Sequence, residues 1–278
     1  MRKRLGRLLH VPAMAVGIGL VTGYVLLGAV APRIAPYDPN TQNLAASLQP
    51  PSPRHWLGTD DLGRDLASRV IVAARADLAI VVLGMAMATA LAVPAGLVAG
   101  FAGGATDRIL TGVSDAALTF PSLVLAVVLV SLFGAGLQSV VLAVGLTTAP
   151  ALARLIRSLA LTTAGAEYVH AARALGAGPL RLLRRHVVPN IAGRVIVYTT
   201  LMGSYAMLTV TALGFLGLGV QPPAAEWGNM LATTRTYVAT APWLLAAPGI
   251  AIVLFIFGVN SLGDALRDLF DPKLLWRP

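Results

Sequence analysis

Glu167-Tyr168-Val169-His170-Ala171-Ala172-Arg173-Ala174-Leu175-Gly176-Ala177-Gly178-Pro179, followed by Arg181, Arg184, Arg185, His186 and Pro189-Asn190, stands between two apolar runs of membrane length. A polar, arginine-rich stretch at this place has no part in spanning a bilayer and answers to something outside it. Its first limb is rich in the helix formers Glu, Ala, Arg and Leu, and it ends at Gly176 as a C-cap. Pro179 suits the first position of a second short helix, which ends before Pro189. A helical corner results, with a basic face and an apolar face of Val169, Ala172, Leu175, Leu180 and Leu183. The apolar face suits a groove on a partner protein. The other reading is an interfacial helix whose arginines bind anionic lipid headgroups, at about 1 kcal/mol each, and residue types alone do not separate the two.

Composition supplies the setting for this corner. Of the residues, 56% are hydrophobic and 12% charged, and the mean hydropathy is +0.76. Soluble domains carry roughly 25% charged residues, so the chain is an integral membrane protein. The absence of cysteine excludes a disulfide framework and a thiolate metal site. A formal charge of +9 could suggest nucleic acid, but arginine gathered at one end of membrane helices gives the same total, and no nucleic-acid partner is expected.

Six spans are expected: Val11 to about Ala31, Leu78 to about Phe101, about Val113 to Phe133, Leu137 to about Leu155, Ile191 to about Leu213, and Pro242 to about Leu262. The first is too long for a signal-peptide core and lacks a small-x-small cut site, so it reads as a span that is kept. Residues 33 to 58 are rich in Pro, Asn and Gln and read as an extended segment over a protein surface. Thr59-Asp60-Asp61-Leu62-Gly63-Arg64-Asp65 then caps an amphipathic helix through Arg69 and Arg75, expected to lie at the interface. Gly134-Ala135-Gly136 is a tight turn that makes the third and fourth spans antiparallel neighbours.

Orientation follows from the basic residues. With the N-terminus inside, fifteen of the 21 Lys and Arg residues fall on the inner side, including Arg2, Lys3, Arg4, Arg7, Arg108, Arg154, Arg157, Lys273 and Arg277. The excess puts both termini and the 157 to 190 stretch in the cytoplasm.

Little chemistry is available within the spans. Every acidic residue, Asp77, Asp107, Asp115, Glu167, Glu226 and Asp264 among them, reads as standing at or beyond a span end. A proton- or ion-coupled carrier needs an ionisable group near the midplane, so a secondary transporter is disfavoured. Neither lysine ends a phosphate-binding G-x-x-x-x-G-K-[ST] loop, so the chain does not bind ATP in that manner. Four scattered histidines form no H-E-x-x-H or paired-carboxylate arrangement, and no enzyme or metal site is expected.

The spacing of the corner separates the two readings left open above. Ala171-Ala172, Gly176 after three further residues, then His186 and Val188-Pro189, is similar to the EAA loop of ATP-binding-cassette (ABC) importer permeases. In that family the loop forms the coupling helix seated on the ATPase subunit. His170 stands at the motif's glutamate position, a departure from the family pattern. The rest of the chain resembles one branch, the C-type permease subunit of dipeptide, oligopeptide and nickel importers. His55-Trp56-Leu57-Gly58-Thr59-Asp60-Asp61-Leu62-Gly63-Arg64-Asp65 looks like its entry signature. Further matches are Gly214-Phe215-Leu216-Gly217-Leu218-Gly219-Val220-Gln221-Pro222-Pro223 with Trp227-Gly228-Asn229-Met230, Pro242-Trp243 with Pro248-Gly249, and Leu262-Gly263-Asp264-Ala265-Leu266-Arg267-Asp268 with Asp271-Pro272.

The resemblance implies an all-α polytopic fold of six transmembrane helices, the type I ABC importer permease fold, in a bacterial plasma membrane. It divides the chain into an N-terminal segment with the first span (1–76), a transmembrane domain (77–264) with the EAA loop at about 158–190, and a cytoplasmic tail (265–278). The residues it assigns to ATPase coupling are Glu167, His170, Ala171, Ala172, Ala174, Gly176, Arg181, Arg185 and Pro189. It implies as partners a homologous B-type permease subunit, two ABC ATPase subunits, an extracytoplasmic substrate-binding protein and membrane lipid. ATP and Mg belong to the ATPases, and the chain holds no cofactor of its own. The implied cargo is a di- or oligopeptide, with nickel chelate, haem or glutathione as alternatives, and a stand-alone carrier or channel as a different class.

Four smaller features remain. Gly214, Gly217 and Gly219 follow a membrane helix rather than a strand, which favours close packing or a turn over a nucleotide loop. Gly19 with Gly23, and Gly96 with Gly100, fit small-x-x-x-small helix packing. Asp60, Asp61 and Asp65 suit helix capping and pairing with Arg64 or Arg69 better than cation binding. Trp227, Trp243 and Tyr237 are expected as interfacial anchors.

Overall fold

The computed structural model describes residues 12–270, so the N-terminal cluster Arg2, Lys3, Arg4, Arg7 and the tail with Asp271-Pro272, Lys273 and Arg277 lie outside the described residues. Among the described residues every regular element is helical. Five helices are long and apolar enough to cross a membrane, and a sixth crossing is available from one bent pair.

Helix α1 (Pro12–Ile34) leads into the extended segment, which carries one short 3-10 turn at Leu44–Ala46. That segment is tied down by backbone bonds, Asn43 N to Leu62 O at 3.1 Å, Leu48 N to Asp60 O at 3.0 Å and Thr59 N to Gln49 O at 3.0 Å. Asp60 and Asp65 organise the loop beneath it. Asp60 Oδ1 accepts from the Leu62 and Arg64 N–H groups, and Oδ2 takes the Arg64 Nε at 2.7 Å. Asp65 caps the next helix by accepting from Ser68 N at 2.8 Å, and its other oxygen meets His55 Nδ1 at 2.8 Å. Arg69, buried beside Asp60, donates to Pro39 O at 3.0 Å. These aspartates therefore cap and pair, and the entry signature is a structural clasp.

Helix α2 (Leu66–Ala102) absorbs both the expected interfacial helix and the second span. Neither glycine nor proline stands between Leu66 and Asp77, so nothing stops the helix at the boundary expected from the sequence. Its 37 residues reach ~56 Å against a hydrocarbon thickness of ~30 Å, and its first turns stand clear of the apolar layer. Asp77 is accordingly not at a helix end but buried in the bundle. It lies ~38 Å along the helix from Ala102.

The expected third span is broken. Helices α3 (Gly104–Thr119) and α4 (Ser122–Phe133) meet at 91°. Pro121 has no N–H to continue the ladder and drives Phe120 to the extended region, φ −84° and ψ 138°. Helix α5 (Leu137–Ala164) follows the Gly-Ala-Gly turn and runs beyond the expected end near Leu155. Its neighbour is α2. A Cβ at Gly96 would stand 2.6 Å from Ala153 O, and one at Gly100 would stand 2.6 Å from Arg157 O, so the two backbones touch there. Gly19 and Gly23, by contrast, meet nothing within 4 Å and form no seam with the described residues.

After the corner, helix α8 (Val188–Phe215) returns through the bundle and ends at Gly217, φ +77°, whose N–H donates to Gly214 O. The glycine signature here is a helix stop and a close approach. Short helix α9 (Trp227–Thr234) then packs against α8 and α2 before α10 (Trp243–Phe270). Trp227 is not an interfacial anchor. It is fully buried, donates from its indole to Val70 O at 3.0 Å, and meets the Tyr24 ring edge-on at 5.9 Å.

Candidate functional site

The corner starts where α5 stops. Ala166 is extended, φ −72° and ψ 144°, and turns the chain into α6 (Glu167–Ala174). Glu167 lies in the first turn and Arg173 in the last, each complementing the helix dipole. The far end closes by a Schellman turn: Ala177 N donates to Ala172 O at 3.1 Å and Gly176 N to Arg173 O at 3.0 Å. Gly176 supplies the left-handed residue, φ +85°, and a Cβ there would meet nothing within 4 Å. The expected glycine cap is therefore present, and its open surroundings face away from this chain.

Gly178 extends the chain and Pro179 opens the short helix α7 (Pro179–Leu182). The second limb does not end before Pro189. A π turn at Leu183–Val187 carries it straight into α8, with Pro189 in the first turn of α8. The wider turn accommodates the hydrogen bond that Pro189 cannot donate, and the Asn190 side chain bonds His186 O at 2.6 Å. The second limb of the corner and α8 are thus one continuous piece of helical backbone from Pro179 to Phe215.

The apolar face expected from the sequence is divided by packing. Val169, Leu182 and Val187 are buried, and Val187 joins Ile191 in a cluster with Ala92, Leu97, Leu152 and Ile156 from α2 and α5. Leu175 and Leu180 are left 89% and 63% exposed at the tip. Tyr168 and His186, with ring centroids 6.2 Å apart and the rings tilted by 48°, bring the two limbs together. Two ion pairs, Arg157 with Asp107 and Arg154 with Asp115, tie α5 to α3 just before the corner. Sequence reasoning puts these four charges at span ends without pairing them; the acids eight apart on one helix and the arginines three apart on the other are the signal.

Of the nine residues assigned to coupling, Glu167, His170, Ala171 and Ala174 lie along α6, and Ala172 is half-buried beside them. Gly176 and Arg181 line an open concavity with Gly178, Pro179, Leu180 and Arg184. Arg185 and Pro189 are exposed but stand outside that concavity. Chemically the surface offers two bare leucines in a stretch that also carries Arg173, Arg181, Arg184 and Arg185, with no grouping that could hold a metal among the described residues.

Comparison with known proteins agrees with this architecture. Residues 3–51 match the family described as the N-terminal TM domain of oligopeptide transport permease C. The chain is 43% identical over 256 residues to the di/tripeptide transport system permease protein DppC of Pseudomonas aeruginosa, covering 90% of this chain and 84% of that one. It is 37% identical over 259 residues to the dipeptide transport system permease protein DppC of Alkalihalophilus pseudofirmus, covering 93% and 85%. It is 40% identical over 249 residues to the probable D,D-dipeptide transport system permease protein DdpC of Escherichia coli, covering 90% and 84%. Residues 92–276, which hold the bent pair, the corner and the last two long helices, match the binding-protein-dependent transport system inner membrane component, and the chain is a multi-pass membrane protein belonging to that family.

Proposed function

We propose that this chain is the C-type permease subunit of an ATP-driven peptide importer and that the 167–190 corner is the handle by which its ATPases move it. The observation that carries the reading is the pair of exposed leucines, Leu175 and Leu180, on a tip whose base is anchored by Val169, Leu182 and Val187. Exposed apolar side chains framed by arginines fit a groove on a protein with an acidic rim.

Partner closure on ATP would push the tip, and the push would travel without a flexible joint into α8 and through the Val187 cluster into α2 and α5. Those helices form half of the translocation path, the other half being a homologous B-type permease. ATP and Mg sit in two ATPase subunits, this chain being non-catalytic, and an extracytoplasmic binding protein delivers cargo. Both termini and the corner lie in the cytoplasm. Di- or oligopeptide cargo is supported by the relatives above.

Affinity purification of the tagged chain from its native membrane tests the assembly. Two ATPase subunits and one second permease are expected in the eluate, and reconstituted vesicles given the binding protein should take up labelled dipeptide only when ATP is supplied on the ATPase side. A chain that elutes without ATPases and conducts or exchanges solute unaided would be a carrier or channel instead.

A further inference from the structure

Two carboxyl groups far from the corner are left unused by that mechanism. Asp77 on α2 and Glu226 at the start of α9 are each 1% exposed, and they are brought together because Trp227, the residue that follows Glu226, donates its backbone N–H to Asp77. Glu226 caps α9, Oε1 accepting from Gly228 N at 2.7 Å and Oε2 from Asn229 N at 2.9 Å. Asp77 Oδ2 accepts from Trp227 N at 3.1 Å, while Oδ1 is enclosed with no donor among the described residues. The pocket is shaped for the carboxyl: a Cβ at Gly219 or Gly228 would stand 2.9 Å from a Glu226 oxygen, and one at Gly214 would collide with the group.

The surroundings provide no cation among the described residues. Arg69 on α2 is engaged with Asp60, and Arg75 is exposed. Tyr24 on α1 donates to Ala251 O at 2.7 Å, and Arg235 beyond α9 stacks on Phe215. Tyr205 on α8 is exposed and Tyr237 is half-buried. A metal ion fits poorly, because three of the four carboxylate oxygens already face backbone N–H groups, whose positive ends repel it. Two bare carboxylates buried on either side of the Trp227 backbone would each lose hydration and repel the other. Burial holds the Glu226 carboxyl above its ordinary range, against the opposing pull of the Gly228 and Asn229 N–H groups.

We propose that Asp77 and Glu226 hold one proton between them and form a protonation-dependent latch that fastens α9 to α2. The shared proton gives Asp77 Oδ1 its missing partner. Its loss leaves two facing charges that push Trp227 and α9 off α2, loosening the segment between α8 and α10. The contact is fully present below the ordinary carboxyl range and weakens as pH rises through the titration of the pair, the direction set by a group that binds its proton more tightly folded than unfolded. The latch stands independently of the importer reading, and its failure leaves that reading untouched.

Full-length chain in lipid nanodiscs, studied by infrared spectroscopy and amide hydrogen exchange, tests the latch. At neutral pH the wild type should show a protonated-carboxyl C=O band that is lost in both Asp77→Asn and Glu226→Gln. Between the ordinary carboxyl range and the titration of the pair, exchange at Gly228 and Asn229, corrected for intrinsic rate, should rise by up to about tenfold per pH unit in the wild type and level off above that titration. In Asp77→Asn, whose amide donates permanently, exchange should be flat with pH. A wild-type spectrum with no band removed by either substitution, or an unchanged pH profile in Asp77→Asn, would overturn the proposal. If one variant does not fold, the other, with the bleaching of the wild-type band on raising pH, still decides it.

Discussion

Gly176→Trp is expected to lower ATP-driven uptake by about 5- to 150-fold, the range of a lost coupling energy of ~1–3 kcal/mol, while the chain still inserts and remains folded. The expectation rests on geometry. Gly176 has φ +85°, and a Cβ at this position has open space for 4 Å around it, so the start of an indole side chain meets no atom of the described residues. Its internal cost is the left-handed backbone alone, about 1 kcal/mol for a residue with a Cβ. The bulk instead occupies the concavity shared with Gly178, Pro179, Leu180 and Arg181, where the ATPase is proposed to seat. Gly176→Asn separates the two effects, since asparagine tolerates the left-handed region and is small; it should retain most of the uptake. Uptake assays on both variants, with protease accessibility and thermal unfolding as controls for insertion and folding, check the expectation. Full transport by Gly176→Trp would remove the coupling assignment.

Gly96→Leu is expected to damage the fold itself. A Cβ there would stand 2.6 Å from Ala153 O and 2.7 Å from Ile156 Cβ, and the first of these is backbone of a long helix that cannot yield locally. Helices α2 and α5 must separate, at a cost near or above the ~3 kcal/mol upper end usual for overpacking, set against a total stability of ~5–15 kcal/mol. A fall in folded yield and in the unfolding temperature of the purified chain measures this. The same substitution at Gly112, which is exposed with nothing within 4 Å, should be tolerated.

The corner is legible in the sequence because its signals are local. A glycine after a run of helix formers and a proline three residues on mark a stop and a restart, and the Schellman turn at Gly176 is their realisation. Which leucines remain bare is not legible. Val169 and Leu175 look alike in sequence, and only the packing of Val169, Leu182 and Val187 toward the bundle, with Val187 in one cluster with Leu97, Leu152 and Ile156, leaves Leu175 outside. The break at Phe120-Pro121 is hidden inside an otherwise continuous apolar run, where hydropathy outweighs a single proline. Asp77 reads as a helix end because it is charged and followed by an apolar run; its partner, Glu226, lies 149 residues further along the chain, a separation no spacing rule spans.

The chain contains no cysteine, so single cysteines can be placed along the corner without a background. The most direct measurement is photo-crosslinking in native membranes from a thiol-attached benzophenone at Leu175→Cys and Leu180→Cys, with Val169→Cys as the buried control. The coupling reading expects both tip positions to capture an ATP-hydrolysing subunit and the buried position to capture none. Adducts to lipid alone from Leu175 and Leu180 would contradict it.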